Sequence, residues 1–301
     1  MTSTHVLYLL LASLVLFAAW YLWRWYAIEH SRPSTEPRKP RLLDALMSLV
    51  INFFDTLGIG SFAPTTAIFK LQKRMPDEQI PGTLNVGYTL PTFVQAIIFI
   101  YLLWSGADAL TLVAMIAAAV LGAWLGAGVV ARMPRRAIQI GLGTVLLVAA
   151  YLFFSAAMGW STAGGMATGL TGGRLILGLC GNFVLGALMT IGLGLYGPCL
   201  ILVSLLGMDP RYAFPIMMGS CAFLMPICSV RFIRSQRYNA QAAIGMALGA
   251  VPGVLVAALI VKSMPLFWLR WLVVVVVLYA ALLMLLSARR KDAPAPVPTT
   301  N

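Results

Sequence analysis

The stretch GIGSFAP, residues 58–64, lies inside an apolar segment, yet it is a poor sequence for the interior of a helix. Two glycines and one proline weaken a helix by several kcal/mol, about 1 for each glycine and about 3 for the proline. In contact with lipid, such a break would leave backbone N–H and C=O groups without partners. A similar stretch, GLGLYGP, returns at residues 192–198 in a second apolar segment. The chain is therefore expected to break a helix twice, at places that do not face lipid.

Composition places the chain in a membrane. Of its 301 residues, 60% are hydrophobic and 10% are charged, whereas a soluble domain carries about a quarter charged residues. Apolar segments near twenty residues in length recur from end to end, and each is long enough to cross a bilayer as a helix. The formal net charge of +12 comes from Lys and Arg between these segments, without the basic stripe or aromatic platform of a nucleic-acid-binding domain. The sequence predicts an all-α polytopic membrane protein that binds lipid and no nucleic acid.

Residues suited to catalysis or metal binding are scarce. The two histidines, His5 and His30, flank the first apolar segment and form neither a metal-ligand spacing nor a nucleophile–base pair. The cysteines lie in or beside apolar segments without a C-x-x-C motif, and we interpret them as small hydrophobic residues. They are Cys180, Cys199, Cys221 and Cys228. We expect no enzyme activity, no metal and no cofactor.

The order of segments predicts four parts. Residues 1–40 hold an N-terminal transmembrane helix at 6–26 and a basic linker, residues 41–158 and 159–288 hold two repeats, and residues 289–301 form a disordered tail. Within the repeats, apolar segments are expected at about 42–69, 84–104, 107–131, 136–158, 172–206, 212–230, 240–261 and 265–287. Segments 42–69 and 172–206 are longer than one crossing requires, and these two contain the glycine-rich stretches.

Glycine and proline positions recur between the two halves, and seven ordered matches are more than chance would give among 27 glycines and 17 prolines. We infer an internal duplication. At an offset of 134 the matches are Gly58 with Gly192, Gly60 with Gly194, Pro64 with Pro198, Pro76 with Pro210 and Pro81 with Pro215. At an offset of 131 they are Gly122 with Gly253 and the two MP pairs at 133–134 and 264–265.

Basic residues indicate which side of the membrane each loop faces, because cytoplasmic loops are enriched in Lys and Arg. If each broken segment enters and returns on the same side, every basic cluster falls inside and the uncharged loops fall outside. Each repeat then has a re-entrant hairpin and three crossings, and the second repeat is inverted relative to the first. The alternative is a kinked segment that crosses fully. The basic clusters are 32–41, 70–74, 132–136, 231–237 and 289–291, and the loops without basic residues are 105–108 and 155–171.

Inverted repeats with broken helices are typical of secondary transporters, whose substrate site lies near the midplane where the breaks approach each other. A half-helix that begins inside the membrane offers unpaired N–H groups and a positive dipole end to an anion. The alternative for the glycines is close helix packing, which we favour for GAWLG at 122–126 and GMALG at 245–249. The hydroxyl groups near the breaks have the alternative of bonding to their own backbone. The candidate substrate-binding residues are Gly58, Gly60, Ser61, Thr65, Thr66, Asn85, Gly192, Gly194, Tyr196 and Ser220.

Asp55 lies three residues before Gly58 in an apolar segment. An ionised Asp at the centre of a bilayer costs about 2.5–3.5 kcal/mol on insertion scales, so such a residue is a functional candidate. We assign it proton coupling. The alternative is a solvated position near the membrane surface. Met189 stands at the matching position of the second half, so a symmetric pair of carboxylates is excluded.

Longer stretches resemble the TauE/SafE sulfite exporter family of bacterial membrane permeases. The resemblance rests on FFDTLGIGSFAPTTAIFKL (53–71), IPGTLNVGYTLPTFVQAIIFI (80–100), GLGLYGPCLILVSLLGMDPRYAFPIMMGS (192–220) and the two MP turns, and it covers roughly 40–288. It implies a core of eight hydrophobic segments in two halves, so the helix at 6–26 is a departure. It also implies movement of small anions such as sulfite or C2 and C3 organosulfonates, driven by the proton gradient, across the bacterial inner membrane.

The sequence thus predicts a multi-pass secondary transporter, an exporter, of a small anion such as sulfite or an organosulfonate. The anion would lie between the two glycine breaks, and Asp55 would carry the coupling proton. Two alternatives stay open: an anion channel on the same scaffold, and a membrane assembly factor that transports nothing. A homodimer is one candidate assembly.

Overall fold

The computed structural model describes residues 3–31, 39–130, 134–158, 165–190, 194–263 and 265–289, and these are helical almost throughout. Among the described residues, β pairing consists of one isolated bridge between Ala167 and Met208. The helices are α1 (Ser3–His30), α2 (Leu42–Thr56), α3 (Phe62–Leu71), α4 (Ile80–Leu103), α5 (Ala109–Val130), α6 (Arg135–Ala157), α7 (Gly172–Met189), α8 (Tyr196–Leu205), α9 (Ala213–Ser235), α10 (Ala240–Ser263) and α11 (Leu266–Arg289).

Eight helical spans in the described part of the chain are long and apolar enough to cross a membrane. They coincide with α1, α4, α5, α6, α7, α9, α10 and α11, each with at most short extensions or trims. The prediction of an all-α multi-pass membrane protein that begins with an N-terminal membrane helix is therefore confirmed. The two long segments predicted at 42–69 and 172–206 each divide into two helices, α2 with α3 and α7 with α8.

The first break lies between Thr56 and Phe62 and depends on glycine. Gly58 and Gly60 have φ values of +100° and +88°, a region that side chains other than glycine rarely adopt. The Gly58 N–H donates to the Asp55 carbonyl at 2.8 Å, and this bond closes the end of α2. The second break follows Met189 and ends at Tyr196. The predicted Gly192 lies outside the described residues.

The first broken segment returns to the end from which it starts. Arg74, three residues beyond α3, places Nη1 2.5 Å from Oδ1 of Asp44 in the first turn of α2. A segment that continued in one direction would separate these residues by roughly 40 Å. The segment is therefore a re-entrant hairpin, and the alternative of a kinked crossing helix is wrong here. We call the end marked by Asp44 and Arg74 the first mouth.

The second broken segment also returns on itself. Asp209, beyond α8, donates its N–H to the Ala167 carbonyl, which precedes α7, at 3.0 Å. Further along, Gly181 of α7 lies against the Leu202 side chain of α8. Although α7 alone is long enough to cross a membrane, the α7–α8 segment does not continue across. We call the end marked by Ala167 and Asp209 the second mouth.

The two mouths lie at opposite ends of α4. This helix begins six residues after Arg74, and the turn that follows it reaches the second mouth, where the Asp108 N–H donates to the Thr168 carbonyl at 2.9 Å. With 24 residues, α4 spans about 36 Å, the thickness of a membrane core. The two hairpins therefore open at opposite ends of the helical bundle. Which mouth faces the cytoplasm stays a prediction from the basic residues.

Helices of one half pack on helices of the other, and the contacts match in pairs. Gly253 of α10 lies against the Leu49 carbonyl of α2, and Gly122 of α5 lies against the Phe183 carbonyl of α7. The two contacts are equivalent in the two halves: Gly122 and Gly253 differ by 131 residues, and their partners Leu49 and Phe183 differ by 134, the two offsets found in the sequence. The Gly122 contact agrees with the packing interpretation of GAWLG, and Gly249 of GMALG lies in the same way against the Ala45 carbonyl. They also support the inverted duplication, which itself stays a prediction.

The N-terminal helix packs on the central pair α4 and α9. Tyr21 donates to the Val86 carbonyl of α4 at 3.1 Å, and Trp25 Nε1 donates to the Tyr238 hydroxyl at 3.0 Å. Tyr238 in turn donates to Glu29, and burial together with this neighbouring carboxylate raises the pKa of its hydroxyl. Asn239, the residue after Tyr238, donates its N–H to Thr83 near the start of α4. The C-terminal end of α1 therefore lies at the same end of the bundle as the first mouth.

The placement of the mouths can be tested by cysteine labelling in intact cells. In a variant without native cysteines, Glu78→Cys lies at the first mouth and Met166→Cys at the second, and both side chains are exposed. A membrane-impermeant maleimide added outside should label Met166→Cys, whereas Glu78→Cys should react only after permeabilisation. Labelling of both positions from the same side would contradict the opposite placement of the hairpins.

Candidate functional site

The two helix breaks meet at one cavity. It contains about 490 Å³ of space not filled by atoms, part of which is open to the outside. Residues from both breaks and from the central helices α4 and α9 form its wall. These are Asp55, Gly60, Ser61, Phe62, Tyr88, Thr92, Met189, Gly194, Leu195, Tyr196, Cys221 and Met225.

The twelve wall residues that the structure describes form six pairs, with one member of each pair from each half of the chain. Four pairs at the breaks share the offset of 134, and two pairs on α4 and α9 share an offset of 133. Both halves therefore place equivalent positions on the cavity, which is the arrangement that a duplicated site would have. The pairs are Asp55 with Met189, Gly60 with Gly194, Ser61 with Leu195, Phe62 with Tyr196, Tyr88 with Cys221 and Thr92 with Met225.

Although the positions match, the chemistry of the two halves differs. In four of the six pairs the first half supplies an oxygen-bearing side chain, and the second half supplies a sulfur-bearing or aliphatic one. Phe62 and Tyr196 reverse this order. The cavity therefore has a polar wall, formed by Asp55, Ser61, Tyr88 and Thr92, and a soft apolar wall, formed by Met189, Leu195, Cys221 and Met225.

Asp55 is the charged residue of the wall, since the remaining members are neutral and no Lys, Arg or His lines the described cavity. It is 5% exposed, so the alternative of a solvated carboxylate near the membrane surface does not describe its position. Its carboxylate accepts a hydrogen bond from Gln95, and the hydroxyl and N–H of Ser61 lie close to it. A single carboxylate thus lies enclosed where the breaks meet.

Gln95 joins the two halves of the site. Its Nε2 donates to Asp55 Oδ2 and to Thr56 Oγ1, both at 2.9 Å, and its Oε1 accepts from the Tyr196 hydroxyl at 2.8 Å. Gln95 lies in α4 and is fully buried. The first break is therefore connected to the second through one amide side chain.

Five sequence-predicted residues lie in the cavity wall, namely Asp55, Gly60, Ser61, Gly194 and Tyr196. The structure brings them together from both halves of the chain, as the duplicated breaks indicate. Their role in binding substrate is not tested by position alone and stays a prediction.

The other described candidates lie outside the wall. Thr65 supports it, because its Oγ1 is 2.6 Å from the hydroxyl of Tyr88, a wall residue. Gly58 forms the turn after α2, where its Cα faces Val276. Asn85 and Ser220 donate to carbonyls of their own helices, at 2.9 and 2.7 Å. Thr66 is half-buried on α3. Asn85, Ser220 and Thr66 therefore do not line the described cavity.

Sequence reasoning missed Gln95, the residue with the most connections in the site. The available signal was a lone amide in the apolar stretch TFVQAIIFI, because polar residues inside membrane helices commonly face the protein interior. It also missed Tyr88 and Thr92, which share a face of α4 at a spacing of four residues.

Comparison with protein families agrees with this architecture. The family model described as sulfite exporter TauE/SafE matches residues 1–153 and 174–301, nearly the whole chain and including the N-terminal helix. No curated protein and no solved structure matches the chain. The protein is accordingly a transporter-type membrane protein with a cavity between two re-entrant hairpins, and the chain belongs to the TauE/SafE sulfite exporter family.

Proposed function

We propose that this membrane protein is a secondary transporter that moves a small anion together with a proton through the cavity between the two breaks. The observation that carries the proposal is one enclosed carboxylate, Asp55, in a wall rich in hydrogen-bond donors and without a basic residue among its described members. A secondary transporter requires a source of driving force, and a proton on Asp55 would supply one.

Electrostatics explains why the anion and the proton would bind together. An ionised Asp55 about 5 Å from a bound anion would repel it by about 3 kcal/mol at an effective dielectric constant near 20. Protonation of the carboxylate removes this repulsion, because the neutral acid carries no net charge. The anion and the proton therefore favour each other's binding, and one proton accompanies each singly charged anion.

Donors for the anion come from both halves. The first N–H groups of α3 and α8 have no partner within their own helices, and both helices begin at wall residues, Phe62 and Tyr196. The hydroxyls of Ser61, Tyr88 and Thr92 lie on the same wall. Tyr88 and Thr92 would turn to a bound anion from their present acceptors, which are Thr65 and the Tyr88 carbonyl. A sulfonate or sulfite group has three acceptor oxygens, which fits such a ring of donors.

Sulfite or a C2 or C3 organosulfonate is the substrate class that we propose, and family membership supports it. The polar wall would hold the charged oxygens, and the soft wall of Met189, Leu195, Cys221 and Met225 would contact the carbon skeleton or sulfur atom. Alternating access would connect the cavity to the first mouth and then to the second. Export through the inner membrane is the proposed direction.

The first test is flux in proteoliposomes under an imposed pH gradient, with sulfite, sulfoacetate, isethionate, chloride and small carboxylates as the panel. The wild type should accumulate one of the sulfur anions against its concentration gradient, and the rate should saturate. Asp55→Asn mimics the protonated acid, so it should lose accumulation while it retains exchange of labelled anion across the membrane.

Asp77→Asn serves as the matched control, because Asp77 is an exposed carboxylate near the first mouth, outside the cavity. It should transport as the wild type does. Flux that does not saturate and ignores the pH gradient would indicate a channel. No flux of any anion from folded protein would contradict the transport proposal and favour an assembly factor.

A second prediction concerns the space at the breaks. A Cβ at Gly194 meets no atom within 4 Å, and Gly194 lines the cavity, so Gly194→Val should fold but occupy the space that the anion needs. We expect at least a tenfold loss of transport with little change in melting temperature. Gly141→Val is the control, because Gly141 has equally open surroundings on the exposed face of α6. Equal loss in both variants would contradict the assignment of the cavity.

A further inference from the structure

The hydrogen bonds around Gln95 have a fixed direction. An ionised carboxylate only accepts, so the Gln95 atom that faces Asp55 is the amide nitrogen. The Thr56 hydroxyl gives its proton to the Asn52 carbonyl at 2.7 Å, so Thr56 also accepts from this nitrogen. Both amide protons are then used, and the amide oxygen is left to face Tyr196.

The same logic fixes the Tyr196 hydroxyl. The Gln95 oxygen has no proton, so the bond of 2.8 Å between the two side chains is donated by Tyr196. While Asp55 is ionised, the single hydroxyl proton of Tyr196 is therefore directed at Gln95 and away from the cavity. Tyr196 nevertheless lines the cavity and begins α8. While Asp55 is ionised, this donor of the cavity wall is therefore bonded to Gln95 and cannot bind an anion.

We propose that Gln95 and Tyr196 form a hydrogen-bond switch that responds to the proton on Asp55 and releases the Tyr196 hydroxyl to the anion. This inference rests on the proposed proton-coupled function. A proton added to Asp55 Oδ2 forms an O–H bond that needs an acceptor, and the facing amide nitrogen cannot accept. Rotation of the Gln95 amide by half a turn places Oε1 at Asp55 and Nε2 at Tyr196.

The rotated amide changes the role of each partner without breaking a covalent bond. Asp55 donates to Gln95 Oε1, and the Thr56 hydroxyl turns from Asn52 to donate to the same oxygen. Gln95 Nε2 donates to the Tyr196 oxygen, so the Tyr196 proton is free to point into the cavity. The proton that neutralises Asp55 thus also creates a donor for the anion on the opposite half of the site.

The surroundings leave Asp55 as the group that operates the switch. The titratable side chains that face it are Tyr88 of α4, Tyr196 of α8 and Cys221 of α9. The ion pair of Asp44 with Arg74 lies at the first mouth, and Asp44 precedes Asp55 by eleven residues on α2. Gln95 is accordingly a positioning residue, because it acts on the anion through Tyr196.

The test is anion binding to purified protein between about pH 5 and about pH 8, with isethionate and chloride as probes because both stay singly charged. The wild type should bind with an affinity that falls up to tenfold per pH unit, as linkage to one proton requires. Tyr196→Phe should weaken binding at low pH about 10- to 100-fold, the value of one hydrogen bond to a charged group. At high pH it should change little, because there the wild-type hydroxyl is held by Gln95.

A second variant acts in the opposite direction. Gln95→Leu removes the acceptor that holds the Tyr196 hydroxyl, so binding at high pH should become tighter than in the wild type. Tyr101→Phe, on the exposed face of α4, is the matched control and should bind as the wild type does.

The outcomes separate the switch from the function on which it rests. Suppose that wild-type binding depends on pH and that Tyr196→Phe weakens binding by the same factor at every pH. This result would overturn the switch alone, because Tyr196 would then be a permanent donor. Unchanged binding in Tyr196→Phe would overturn it as well. Absence of binding of either anion to the wild type would contradict the proposed anion site itself.

Discussion

Backbone hydrogen bonding inside a membrane is the constraint on which this structure depends. A helix can be interrupted at membrane depth only where protein or a cavity surrounds the freed N–H and C=O groups. Here the breaks after Thr56 and Met189 face each other, and α4 and α9 complete the enclosure. The same helix break that must be enclosed away from lipid also supplies the N–H groups and the space for a ligand.

Much of the fold could be predicted from the sequence, because glycine and proline carry strong local information. The breaks and the pairing of Gly60 with Gly194 follow from backbone chemistry at two short stretches, and the hairpins follow from the distribution of Lys and Arg among the loops. The side chains across the cavity could not be predicted in this way. Whether Gln95, Tyr88 or Asn85 of α4 faces the break depends on the rotation of that helix against its neighbours, which tertiary packing decides.

Matched positions with different chemistry suit a coupled transporter. The six pairs of wall residues give the cavity equivalent geometry from both halves, while Asp55 opposite Met189 gives it a single titratable carboxylate. In the proposed mechanism this carboxylate carries one proton with each anion, and the soft wall of the second half contacts the body of the substrate. The hydrogen bonds through Gln95 connect the two chemistries across the cavity.

The central claim is that one proton moves with each singly charged anion through the cavity at Asp55. The most direct measurement is the ratio of proton to isethionate flux in proteoliposomes, obtained from the pH gradient that stops net isethionate movement at a set concentration gradient. The account predicts a ratio of one, with net flux reversing when a tenfold isethionate gradient is opposed by about one pH unit. Isethionate movement that no pH gradient can stop would contradict it.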